Sequence, residues 1–187
     1  MASLYLVLDL INDIVTGESG LVQQVGERRL LENTAAAIAK AREAGVAVGY
    51  VRVGFESERD APRVSPFLKP FYDAGYLRLG TSGTAVHSAV APQDGDLDIV
   101  KNRVGAFWGT RLDMILRARG IEKLYVSGVS TTYAVSSTVR EAHDRDLEVV
   151  LLEDCCAAHG AEEHGAVIAA LTPLCVEVTS SGAVIFA

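Results

Sequence analysis

Leu124-Tyr125-Val126-Ser127-Gly128-Val129-Ser130-Thr131-Thr132-Tyr133-Ala134-Val135 reads as a short apolar strand that stops at a glycine and turns at once into a helix. A helix entered this way aims successive backbone N–H groups at one spot. The helix is predicted over Thr131–Arg145, with Ser130 as a good N-cap residue. An ordinary capped strand-to-helix turn carries the same local signals.

The unit repeats in both directions. Strands are predicted at Leu4–Leu10, Val46–Val53, Leu97–Lys101, Leu124–Ser127, Leu147–Leu152 and Cys175–Thr179. Val, Ile and Leu dominate them with little polar alternation, as in parallel strands covered on both faces. Helices alternate with them. Glu27–Ala44 sets Leu31, Ala35, Ile38 and Arg42 on one side and ends at Gly45; Thr110–Arg119 stops at Gly120; Ala161–Leu171 precedes Pro173. This rhythm predicts an α/β fold with one parallel sheet and right-handed crossovers. One segment departs from it. Gly54–Gly95 carries four prolines, several aromatics and no long period, so it reads as a lid over a pocket or a subunit contact.

In open α/β sheets the ligand crevice lies beyond the carboxyl ends of the strands, and three residues fall there. Asp9 follows the apolar run Leu4–Leu8, Lys101 closes Leu97–Val100, and Ala134 lies just after the Gly128 turn. A buried carboxylate without a partner is costly, so Asp9 is either a capping residue or one half of a catalytic pair. Lys101 is either an exposed lysine after an edge strand or the other half. Alanine cannot be a nucleophile. Phe107, Trp108 and Tyr133 are candidate walls for a planar substrate, Phe107 being as well suited to the core. Arg52 would meet a substrate carboxylate or a neighbouring acid. Cys155 and Cys156, placed after the fifth strand, are expected to pack as small apolar groups. His159 and His164, with Glu162 and Glu163 between them, read as a solvated helix start.

Taken together, Asp9-Leu10-Ile11-Asn12-Asp13, Lys101 with Gly105-Ala106-Phe107-Trp108-Gly109-Thr110, Gly128-Val129-Ser130-Thr131 and Arg140-Glu141-Ala142-His143-Asp144 resemble the isochorismatase-like hydrolase superfamily. The resemblance covers nearly the whole chain. It implies a Rossmann-like three-layer α/β/α fold with a six-stranded parallel sheet in the order 3-2-1-4-5-6, and one hydrolase domain over residues 1–187. It also implies a non-proline cis bond near Val129–Ser130 and an oxyanion hole from the Ser130 and Ala134 amides. Asp9 and Lys101 become catalytic residues by the same token, and Asn12 joins Ser130 on the substrate side. Two positions depart from the pattern: Ile11 stands for a glutamine, and Ala134 for the cysteine of amidohydrolase members. Isochorismatases themselves lack that cysteine.

Three functions follow. The first is a cysteine-free hydrolase with Asp9 as general acid/base. The second is a cysteine amidohydrolase, acting on an amide, ureide or carbamoyl compound, with its nucleophile replaced by Ala134. The third is a small-molecule binder without turnover. No cofactor is expected, and no metal, since the long connection holds only His87.

Composition narrows the partners. The 187 residues carry a net charge of −7 with no basic cluster, which disfavours nucleic acid and anionic membranes. No apolar stretch approaches the ~20 residues of a membrane span, and the first strand begins too early for a signal peptide. Three cysteines, two adjacent, make a poor disulfide framework and point to the cytoplasm. Phe67, Leu68, Phe71, Tyr72, Tyr76 and Leu77 form an apolar concentration that predicts a homo-oligomer, a dimer or tetramer, contacting through part of Pro66–Leu79.

Overall fold

The computed structural model describes residues 2–187. Six strands form one parallel sheet: β1 (Ala2–Leu8), β2 (Ala47–Val53), β3 (Leu97–Lys101), β4 (Ile121–Val129), β5 (Glu148–Ala157) and β6 (Glu177–Thr179), in the order β3-β2-β1-β4-β5-β6. The predicted topology and the 3-2-1-4-5-6 order are therefore present. The continuous apolar runs conceal a period of two. Tyr5 and Val7 of β1 point into one core layer, Leu4, Leu6 and Leu8 into the other. The first layer is closed by α2 (Gly20–Glu27) and α3 (Leu30–Glu43), which follow the single-turn α1 (Asn12–Val15). The second is closed by α5 (Leu112–Arg119), α6 (Ser136–His143) and α7 (Ala161–Leu171). The short α4 (Leu68–Asp73) lies in the long connection after β2. No helix among the described residues is long and apolar enough to cross a membrane.

Three elements differ from the sequence reading, each for a tertiary reason. The helix expected over Glu27–Ala44 is two helices, broken at Arg28 and Arg29. Arg29 is left-handed at φ 52°, while Arg28 donates to the Cys156 and Glu153 carbonyls and to the Glu153 carboxylate. The buried face of α3 is Leu30, Thr34, Ala37, Ile38 and Ala41; Arg42 turns outward to pair with Asp96. The helix expected over Thr131–Arg145 begins as a π-helical turn, Thr131–Val135, before α6. Strand β5 runs five residues past Leu152 because its polar pair is satisfied in place: Arg28 and His164 take Glu153, and Ser181 takes Asp154. Cys155 and Cys156 thus lie inside β5, one in each core layer.

The long connection folds partly onto its own chain. Leu68, Tyr72 and Leu77 join Ile11, Val53 and Phe55 in a third apolar cluster, and Phe55 exchanges backbone hydrogen bonds with Leu77 and Leu79. Phe71 and Tyr76 remain 42% and 50% exposed.

Candidate active site

β1 and β4 are neighbours in the sheet, and the chain leaves them in opposite directions at this switch point. Leu8 pairs with Gly128 there. A Cβ on Gly128, whose φ is 124°, would lie 2.1 Å from the Leu8 carbonyl oxygen, so only glycine lets the two strand ends approach this closely. The next peptide bond, Val129–Ser130, is cis.

Asp9 takes a left-handed φ of 56°, turning its side chain back over the strand ends. One carboxylate oxygen, Oδ1, accepts the Val53 N–H at 2.7 Å. The other meets Lys101 Nζ at 2.7 Å, and Lys101 Nζ also donates to the Val104 carbonyl. Both side chains are almost wholly buried, Asp9 at 3% and Lys101 at 1% exposure. Burial raises the Asp9 carboxyl, and the Lys101 charge and the Val53 amide only partly offset it, so the group sits above the ordinary carboxylate range. The pair is a buried carboxyl whose proton burial makes harder to lose, set against the Lys101 amine nitrogen.

The pair opens into a cavity of about 350 Å³ that Ser130, Tyr133 and Ala134 also line. The Ser130 hydroxyl is buried and, among the described residues, has no hydrogen-bond partner and caps nothing, contrary to the sequence expectation. Phe67 stacks on Tyr133, ring centroids 4.2 Å apart at 30°, so the connection supplies an aromatic wall.

Of the residues singled out from sequence, Asp9, Lys101, Ser130, Tyr133 and Ala134 meet at this cavity. Four do not. Arg52 is held by both Asp98 oxygens at 2.7 Å and by the Thr84 carbonyl. Asn12 donates to the Ser82 carbonyl, bracing the connection. Phe107 is core, with Arg145 over its ring, and Trp108 is 66% exposed. Arg103 was missed. It lines the cavity, its Nη1 anchored on the Asp60 and Asn102 carbonyls, and among the described residues Nε and Nη2 have no acceptor. Its signal was its place in the loop that follows Lys101. His164 was misread: it is 3% exposed and hydrogen-bonded at both ring nitrogens. Among the described residues no three His, Cys, Asp or Glu side chains are grouped to hold a metal ion. Cys155 and Cys156 are outside the cavity, and burial pushes the Cys156 thiol up to about 12, far from thiolate.

The model of the isochorismatase domain matches residues 3–183. An uncharacterised isochorismatase family protein of Escherichia coli O157:H7, YecD, is 34% identical over 142 residues, 76% of this chain and 74% of the relative. A ureidoacrylate amidohydrolase, RutB, of Methylorubrum extorquens AM1 is 32% identical over 138 residues, 67% of this chain and 56% of its own. The crystal structure of an isochorismatase family protein from Desulfovibrio vulgaris superposes with a TM-score of 0.86 at 26% identity, covering 97% of this chain and 95% of that one.

Proposed function

Because the chain belongs to the isochorismatase family and is a hydrolase, we propose that Asp9 is its general acid and water its nucleophile. The observation that carries this is the buried Asp9, raised by desolvation and bound to Lys101 at the floor of the cavity. Asp9 donates its proton to the substrate, at an enol-ether carbon or a leaving atom. Water adds to the electron-poor carbon so formed and sheds one proton, which returns to the Asp9 carboxylate. Where the first proton went to the enol-ether carbon, the bond to the leaving oxygen then breaks as that oxygen takes the remaining proton of the added water. Lys101 stabilises that carboxylate in its ionised interval. The Ser130 and Ala134 amides, at the entry to the helix, bind the substrate oxygen. No step passes through a thiol, which fits Ala134 and the unreactive setting of Cys155 and Cys156.

The substrate we propose is small, planar and carboxylated. The Phe67–Tyr133 stack offers a flat apolar face, and the unpaired edge of Arg103 matches a carboxylate in a two-bond fork. Turnover of isochorismate, a carboxylated enol ether, against ureidoacrylate, a carboxylated ureide, tests the reading. Hydrolysis of the enol ether by the unaltered chain supports it; hydrolysis of neither contradicts it and favours a binder. The amidohydrolase reading is favoured by the several relatives named ureidoacrylate amidohydrolase, 31–34% identical to this chain. If it is right, Ala134→Cys gains ureidoacrylate hydrolysis that the parent lacks.

We extend the proposal to assembly and setting: a single hydrolase domain over residues 1–187, cytoplasmic, and a homo-oligomer through the exposed Phe71 and Tyr76 of the 66–79 segment.

A further inference from the structure

Behind the cavity lies a polar chain that the mechanism above does not use. His164 of α7 is buried between two partners: its Nδ1 is 2.8 Å from the Thr131 hydroxyl and its Nε2 is 2.9 Å from Glu153 Oε1. The same Glu153 oxygen is 2.5 Å from Arg28. Thr131 is fully buried and does not line the cavity, but it is the residue directly after Ser130 and the first of the π-helical turn that carries Ala134. The neighbouring residues repeat the grip. The Thr132 hydroxyl donates to Glu163 at 2.5 Å, and Glu163 also accepts the N–H of His159, a residue of the cavity rim. Two consecutive side chains of α7 therefore hold two consecutive residues of the turn.

The proton positions follow from charge. Burial pushes Glu153 upward, but the bonds from His164 and Arg28 outweigh it and leave the carboxyl below its ordinary range. An ionised carboxylate only accepts, so His164 Nε2 carries the hydrogen. Burial is the leading influence on the imidazole and holds its pKa below the ordinary value, so the ring is neutral and Nδ1 is bare. The Thr131 hydroxyl must then donate to it. The charged groups facing the ring are Glu153 from β5 and Arg28 from the α2–α3 break; Glu163 precedes it on α7 and faces the turn. Protonation of His164 would turn Nδ1 into a donor, reverse the Thr131 bond and loosen the entry to the turn.

We propose that Glu153, His164 and Thr131 are positioning residues that fix the Ser130 and Ala134 amides, and that protonation of His164 releases them. The functional half of this inference rests on the oxyanion role proposed above. The test uses the whole protein and has one arm that needs no turnover. Nitrogen NMR of the His164 ring is expected to show a neutral, Nε2-protonated imidazole at pH 7. The Ser130 and Ala134 amide shifts are expected to titrate with the ring, and Thr131→Val to uncouple them while Thr131→Ser retains the coupling. With isochorismate, Thr131→Val is expected to lower kcat roughly tenfold to a hundredfold with KM within about twofold, and Thr131→Ser to recover it. An Nδ1-protonated ring, amides that ignore the ring titration, or an unchanged kcat in Thr131→Val would each overturn the proposal. If isochorismate is not hydrolysed at all, the proposed function fails instead, and the ring tautomer and amide coupling still decide this inference.

Discussion

Replacing Lys101 by methionine, close in length and uncharged, should make stability depend steeply on pH. In the native protein the Lys101 ammonium lies 2.7 Å from Asp9, both side chains almost without solvent. At an effective dielectric of ~20 the attraction at that distance is ~6 kcal/mol before desolvation is counted. Removing one partner of such a pair ordinarily costs ~3–5 kcal/mol, because the other charge is left buried and unpaired. Asp9 has an escape: it takes up a proton. The ordinary carboxylate value is 3.8, so forced protonation at pH 7 costs at most ~4.4 kcal/mol, and at pH 5 at most ~1.6 kcal/mol. Lys101→Met is therefore expected to lose ~3–4 kcal/mol at pH 7 and no more than ~2 kcal/mol at pH 5. Urea unfolding of parent and variant at the two pH values measures this directly. A loss below ~1 kcal/mol at pH 7, or one of equal size at both, would refute the view that Asp9 and Lys101 are a buried pair whose charges hold each other.

Gly128→Ala should cost at least ~2 kcal/mol, read as a fall in melting temperature, because the new Cβ would meet the Leu8 carbonyl at 2.1 Å and the φ of 124° is unfavourable to L side chains. His164 should make the protein less stable in mild acid. Its folded pKa lies below the ordinary 6.5, so its contribution is complete above that value and is lost as pH falls through the folded pKa. Unfolding from pH 7.5 to 5.5 should slope accordingly and flatten in His164→Gln. Cys155 and Cys156 should resist a thiol reagent at pH 8 until the protein unfolds, since both are buried and raised far above the ordinary thiol value. Intact-mass labelling before and after denaturant checks it, and rapid modification of either in the folded protein would contradict it.

Sheet order was readable because β1, β3 and β4 are apolar runs and because the resemblance supplied the topology. The end of β3 fell where predicted, at Lys101, whereas β1 stops at Leu8, short of Leu10, and β4 runs on past Ser127 to Val129. What escaped the reading was held by partners distant in sequence. Arg28 breaks a helix because the carbonyls it meets belong to β5, more than a hundred residues on. His164 looks solvated beside Glu162 and Glu163, yet its partners come from β5 and the turn after β4. Arg52 and Arg103 both end or follow strands near the site. Only the neighbourhood of Asp98, in the adjacent strand, removes the first and leaves the second in the cavity wall. Phe67 and its stack on Tyr133 had no periodic signal, because the connection that carries it has no regular period.

The central claim is that Asp9 supplies the proton, and the pH–rate profile of the parent chain beside Asp9→Asn tests it most directly. With isochorismate as substrate, the parent rate is expected to fall about tenfold per pH unit above the raised Asp9 pKa, since the acid form is the active one. Asp9→Asn, which keeps the shape but not the proton, is expected to lose at least ~100-fold in kcat below the Asp9 pKa, with the gap narrowing as the parent rate falls above it. A variant that retains parental turnover, or a parent rate that rises with pH above the His164 titration, would contradict the account.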